Sequence, residues 1–141
     1  MKIAVLGYGT VGSGVVEVLD VNQKLIASRA KEEIEVKYVL DLRDFPGDKI
    51  QEKIVHDYEI ILNDPEIGIV VEVMGGVEPA NTFVRKALEA GKSVVTSNKA
   101  LVAKHGSALL KTAREKNVNF LFEASVGGGI PILRALGSSL T

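Results

Sequence analysis

The most restrictive feature of this chain comes at its start. A short apolar run, Ile3-Ala4-Val5-Leu6, ends directly in Gly7-Tyr8-Gly9-Thr10-Val11-Gly12. Helical spacing then runs from Thr10 to about Ala27, with Val11, Val15, Val18, Leu19 and Leu25 available for one face. A continuous apolar run closed by glycine reads as a parallel strand buried on both faces. When a GxGxxG run joins such a strand to a helix, each glycine has a physical task. Gly7 permits the tight turn, Gly9 lets the backbone approach a pyrophosphate, and Gly12 allows the helix to pack closely on the sheet. The unpaired N–H groups of the first helical turn then face the phosphates. On this reading Gly7, Tyr8, Gly9, Thr10, Val11 and Gly12 hold a dinucleotide. The competing reading leaves the glycines a tight turn and nothing more.

The alternation of strand and helix continues along the chain. Residues 34–40 read as a second strand ending at Asp41, and 57–62 as a short helix. Residues 41–55 carry no pattern beyond the turn signal Pro46-Gly47. Residues 68–74 form a strand stopped by Gly75-Gly76, and Pro79 opens a helix through Ala90 with Gly91 as its cap. A strand over 92–96, a helix over 98–116 and a strand over 118–122 follow. Short joints and almost wholly apolar strands predict an α/β fold, a Rossmann-type doubly wound, mostly parallel sheet with helices on both faces.

Composition narrows the function. A hydrophobic content of 46% with 17 basic against 18 acidic residues excludes a disordered chain and gives no support to a polycation built for nucleic acid. Residues 1–70 are net acidic and 71–141 net basic, a balance that suits an anionic small molecule. Cysteine is absent, so there is no disulfide framework and no thiolate nucleophile. Two histidines in unrelated settings, His56 and His105, speak against zinc and read as structural or exposed. No apolar run approaches the roughly 18 residues of a membrane span, and the first is too short for a signal peptide. A cytoplasmic protein without membrane contact is expected.

Open parallel sheets bind ligands beyond the carboxyl ends of their strands. Asp41, at the end of the second strand, can take the ribose hydroxyls of NAD, whereas Arg43 can meet the 2′-phosphate of NADP. The two signals conflict, and an Asp41 exposed on a charged loop is a third reading. Met74-Gly75-Gly76 leaves room for a flat ring, or is an ordinary glycine turn. Ser97 and Asn98 suit a helix cap. Lys99 follows them in a first helical turn, where its charge opposes the helix dipole. It can hold a carboxylate, orient a carbonyl, relay a proton or simply face solvent. Glu123, before Gly127-Gly128-Gly129, can meet a cation or polar ligand, pair with Lys99 or lie solvated.

Taken together these stretches resemble the amino-terminal part of homoserine dehydrogenase. The matching blocks are GYGTVGSGV at 7–15, NDPEIGIVVEVMGG at 63–76, VVTSNKALVAKHG at 94–106 and FEASVGGGIPILRAL at 122–136. The resemblance implies interconversion of L-homoserine and L-aspartate 4-semialdehyde with NAD or NADP, on the route to threonine, methionine and isoleucine. It implies that Gly7 to Gly12 hold the pyrophosphate and that Met74, Gly75, Ser97 and Asn98 line the nicotinamide side. Lys99 is then the active-site lysine. Glu123 and the main-chain oxygens of Val126, Gly128 and Ile130 are implied as ligands of a monovalent cation, sodium.

The family carries a substrate and dimerisation domain after this one. Residues 1–125 are therefore expected to form a dinucleotide-binding domain, and 126–141 the truncated start of the next. A homodimer or higher homo-oligomer is implied for the full-length protein, and no turnover for the 141 residues alone. The alternatives are a non-catalytic nucleotide-sensing domain and a reductase of another amino-acid semialdehyde.

Overall fold

The structure, a computed structural model, describes residues 2–21 and 35–123. Their strands are β1 (Lys2–Leu6), β2 (Glu35–Leu40), β3 (Ile54–Val55), β4 (Ile67–Glu72), β5 (Ser93–Thr96) and β6 (Phe120–Phe122). Their α-helices are α1 (Thr10–Val21), α2 (Tyr58–Leu62), α3 (Ala80–Glu89) and α4 (Lys99–Glu115). The strands form one sheet in the order β3-β2-β1-β4-β5-β6, and every neighbouring pair is parallel. This is the doubly wound order, with the direction of winding reversed between β1 and β4.

Side-chain alternation along the strands separates two cores. Ile3, Val5, Ile69, Val71 and Val95 face α1 and bury Val15, Val16 and Leu19. Ala4, Leu6, Val70 and Val94 point the other way, onto the buried residues of α2, α3 and α4. Each of these valines and leucines contributes about 1.5–3 kcal/mol relative to exposure. Covering both faces is why the strands read as unbroken apolar runs rather than as alternating ones.

Helix ends follow their sequence signals. Asp57 accepts from the Glu59 amide (3.0 Å) to start α2. Gly91, at φ +83°, ends α3, with Gly91 N–H donating to Leu88 O and Lys92 N–H to Ala87 O, both at 3.0 Å. That 5→2 and 6→1 pair satisfies the last carbonyls of the helix. Pro79 stands one residue outside α3, at its cap, and β4 leaves the ladder at Glu72, two residues earlier than the apolar run.

The patternless stretch is ordered. A 3-10 helix (Lys49–Lys53), capped by Asp48, feeds the two-residue strand β3 beside β2. Neither is long enough to display a period. The expected extension of the first helix to Ala27 lies outside the described residues, as do 124–141.

Opposite the glycine loop, at the amino ends of the strands, Asp64 gathers Lys37 Nζ (2.5 Å), the Tyr38 hydroxyl (2.9 Å) and the Glu66 amide (2.9 Å). Buried Lys92 donates there to the carbonyls of Asp64 (2.8 Å) and Ile67 (2.9 Å).

Candidate dinucleotide-binding site

β1 ends in Gly7, whose φ of +101° turns the chain toward α1 and is one that side chains resist. Its amide donates to Leu40 O (2.8 Å), tying the turn to the end of β2. A Cβ on Gly12 would lie 1.9 Å from Gly7 O, so the helix reaches the strand only because the side chain is missing. A Cβ on Gly9 would meet nothing within 4 Å. The three glycines thus divide as the sequence predicts: one for the turn, one for packing, and one left open at the start of α1. Thr10 and Val11, also in that first turn, are exposed.

Beside this loop lies a cavity of about 500 Å³, between the ends of β1, β2 and β4. Gly7, Tyr8, Gly9, Asp41, Arg43 and Met74 all line it, which is the switch point of the sheet. Its floor is aromatic. The Tyr58 hydroxyl donates to Phe83 O (2.7 Å), and the two rings lie 4.4 Å apart. Burial pushes the Tyr58 phenol well above its ordinary range.

Asp41 is not the exposed loop carboxylate of one sequence reading. Its side chain is 9% exposed, and four N–H groups converge on it. Oδ2 accepts from Tyr8 N–H (2.9 Å) and an Arg43 terminal nitrogen (2.9 Å). Oδ1 accepts from the Arg43 amide (2.9 Å) and Nε (3.0 Å). The Arg43 side chain, ahead of the two backbone amides, holds this carboxyl far below the usual carboxylate range. The two residues whose signals conflict in the sequence are one bidentate pair. The arginine also lies over the Phe45 ring (5.2 Å), which meets Tyr8 edge-on.

Across the switch point the site is built on a buried carboxylate that the sequence did not single out. Glu72, fully buried at the end of β4, accepts from the Thr96 hydroxyl (2.6 Å), the Met74 amide (2.8 Å) and Asn98 Nδ2 (3.4 Å). Thr96 in turn accepts from the Asn98 amide (3.0 Å). Asn98 donates to Gly76 O (2.5 Å) and caps α4 by accepting from the Leu101 amide (3.1 Å). Gly75 and Gly76, at φ +79° and +72°, carry the chain away above it. Both ends of the Asn98 side chain are occupied, so it positions the loop rather than presenting a free group. Ser97 is tied back through its amide to Glu72 O (3.2 Å). Lys99, next after Asn98, is exposed in the first turn of α4.

The Glu123 amide donates to Thr96 O (2.9 Å), at the end of β6. The candidates therefore stand in spatial order along one edge of the sheet: Asp41 and Arg43, Gly7 to Gly12, Met74 and Gly75, Ser97 to Lys99, then Glu123. Val126, Gly128 and Ile130 lie outside the described residues. Among the described residues no group of three or more His, Asp or Glu side chains is placed to hold a metal. No described helix is long and apolar enough to cross a membrane.

One histidine belongs to the site. His56, read from the sequence as structural or exposed, is half exposed and lines the cavity beside Asp41. The cause is β3, whose two residues carry His56 to the same edge as β2. His105 lies within α4, as expected.

Comparison with known proteins agrees with this geometry. The family model described as homoserine dehydrogenase, NAD binding domain, matches residues 7–123. The homoserine dehydrogenase of Lactococcus lactis is 43% identical, over the whole of this chain and 34% of its own length. The chain thus spans about a third of the curated relatives it matches. The crystal structure of the Thiobacillus denitrificans homoserine dehydrogenase superposes with a TM-score of 0.81 at 41% identity, covering 96% of this chain and 32% of that one. A hyperthermophilic archaeal homoserine dehydrogenase mutant in complex with NADPH gives 0.69 at 25% identity, over 89% and 44%.

Proposed function

This chain belongs to the homoserine dehydrogenase family and has its NAD(P)-binding fold, and from that premise we propose that the whole protein interconverts L-homoserine and L-aspartate 4-semialdehyde with NAD or NADP. The observation that carries the proposal is that the Gly7–Gly12 loop, the Met74–Gly76 turn and the Asn98–Lys99 helix start follow the carboxyl ends of the adjacent strands β1, β4 and β5, with Gly7, Gly9 and Met74 lining the switch-point crevice. The open space at Gly9 and the unpaired amides of α1 fit a pyrophosphate. When bound there, the nicotinamide supplies or accepts the hydride.

The chain's own residues bind and orient. Gly7, Tyr8, Gly9, Thr10, Val11 and Gly12 hold the phosphates. Met74, Gly75, Ser97 and Asn98 form the nicotinamide side, with Asn98 acting through the loop it ties down. Lys99 stands where its ammonium group can orient the substrate carbonyl or hold its carboxylate. Asp41 takes the ribose hydroxyls once Arg43 turns aside, giving a slight preference for NAD. Glu123, with the main-chain oxygens of Val126, Gly128 and Ile130, is proposed to hold sodium, a reading supported by the 122–136 block of the family resemblance.

The reading extends to a homodimer or higher homo-oligomer in the cytoplasm. Residues 1–125 form the dinucleotide unit and 126–141 open the substrate domain. Groups on the far side of the substrate then come from the part of the relatives outside the match, so the 141 residues bind dinucleotide without turnover.

The test is an assay of the full-length protein with homoserine and NAD(P), beside Lys99→Ala. Cofactor reduction that falls at least a hundredfold in the variant is expected. A folded protein that binds dinucleotide but never reduces it refutes the enzyme and favours a sensing domain.

A further inference from the structure

The imidazole of His56 is held by two acceptors. Nδ1 lies 2.7 Å from the Asp41 carbonyl oxygen and Nε2 lies 3.0 Å from Asp44 Oδ1. A carbonyl cannot donate, and Asp44 is held below its ordinary range, chiefly by the Gln51 side-chain amide, so it stays an ionised acceptor. Satisfying both contacts takes a proton on each ring nitrogen, which is the imidazolium. The ring is half exposed, on the wall of the cavity that ends at Asp41 and Arg43. That position is where doubly wound folds read the adenosine ribose.

The surrounding charges make this proton count. Asp41, Arg43, Asp44 and protonated His56 sum to zero, and loss of the His56 proton leaves the cluster at −1. Tyr8 and Tyr58 are the other ionisable groups lining the cavity among the described residues. Asp57, next in the chain, is turned to the Glu59 amide. Glu52 and Lys53 of the 3-10 helix line a separate recess with Ser13 and Glu17.

We propose that His56 is a pH-dependent selector for the 2′-phosphate of the cofactor: as imidazolium it admits NADP beside Arg43, and as neutral imidazole it leaves the adenosine end to NAD. This rests on reading the cavity as the adenosine site. The contact with the Asp41 carbonyl, followed by the nearby carboxylates, raises the affinity of His56 for its proton above that of a free imidazole. The changeover therefore falls above that of a free imidazole.

The experiment is calorimetric titration of the full-length protein with NAD and with NADP at three pH values from about 6.5 to 8.5 at fixed ionic strength, for wild type, His56→Gln and His56→Lys. Wild type loses roughly fivefold in NADP affinity relative to NAD across the range, the scale of a half-exposed charge pair. His56→Gln keeps only the slope due to the 2′-phosphate's own ionisation, and His56→Lys binds NADP tightly throughout. NMR of the His56 ring in wild type gives a second readout, its pKa rising further with NADP than with NAD. Equal slopes in wild type and His56→Gln, or equal His56 pKa values in the two complexes, overturn the selector and leave the dinucleotide site standing. Absence of binding by both nucleotides at every pH overturns the site itself.

Discussion

Glu72 offers the sharpest test of how this site is held, because its three donors fix what any substitute must provide. A carboxylate is acceptor-only, and the network supplies it with the Thr96 hydroxyl, the Met74 amide and Asn98 Nδ2. Thr96 is already committed as acceptor to the Asn98 amide. In Glu72→Gln the new amide nitrogen must face either Thr96 Oγ1 or the Met74 N–H. The first orphans the Thr96 hydroxyl proton, and the second sets the nitrogen against both the Met74 N–H and Asn98 Nδ2, which share one carboxylate oxygen. The first costs less, and at least one buried donor is lost, at about 2 kcal/mol.

Glu72→Ala removes the acceptor for all three donors. Two short charge-assisted bonds at about 1.5–3 kcal/mol each set the scale, and release from burying a charge offsets part of it. About 4 kcal/mol remains. In a chain of this length these losses lower Tm by roughly 8 °C for Gln and 15 °C for Ala. Urea unfolding followed by circular dichroism reads both. Adding Thr96→Val to Glu72→Gln deletes the orphaned hydroxyl, so the double variant should recover at least about 1 kcal/mol of the summed losses. A Gln variant within about 0.5 kcal/mol of wild type, or strict additivity with Thr96→Val, refutes the donor count.

Three further outcomes follow from the same contacts. Gly12→Ala forces its Cβ to within 1.9 Å of Gly7 O and should destabilise by about 3 kcal/mol, while Gly9→Ala, with nothing within 4 Å, should fold normally and weaken dinucleotide binding at least tenfold. Thermal unfolding beside calorimetry separates the two, and a Gly9→Ala protein that binds as wild type defeats the role given to that opening. Asp64, held down to about 2 chiefly by Lys37, contributes stability that is present above about pH 4 and lost as pH falls through 2. Asp64→Asn should therefore unfold more easily than wild type at pH 7 and converge with it in acid, as urea midpoints against pH will show; a gap unchanged at pH 2 counts against the linkage. Arg43→Ala frees Asp41 for ribose and should raise the NAD-to-NADP affinity ratio about tenfold by calorimetry, with an unchanged ratio ruling out the pair as its determinant.

The fold was legible because its signals are local and repeated. Ile3-Ala4-Val5-Leu6 and Ile69-Val70-Val71 lie between helices on both faces, so burial wrote itself into the sequence as unbroken apolar runs. Gly7, Gly12 and Gly91 each answer a backbone or packing demand that no other residue meets, and each was readable on its own. β3 and the 3-10 helix escaped for the converse reason. Two strand residues and five residues of 3-10 helix are too few to show a period, and only pairing with β2 across the sheet makes Ile54 and Val55 a strand.

The site was legible as a set of positions but not as a set of partners. Asp41 and Arg43 read as rivals because sequence spacing says nothing about which way a guanidinium folds; two residues apart, the arginine closes on the carboxylate with both its amide and its side chain. Glu72 escaped because a lone acid inside an apolar strand looks like an ordinary interruption of the pattern. Its meaning is fixed by residues 24 and 26 positions away, Thr96 and Asn98, which arrive only when β5 pairs with β4. An ionised group is retained in such a place at the cost of desolvation, and three convergent donors are what make it tolerable. Those donors are the start of the Met74–Gly76 turn, the end of β5 and the cap of α4. One buried carboxylate thus binds together the three segments that line the proposed nicotinamide side, and the open, exposed glycines above it can be left without side chains because the support lies beneath them.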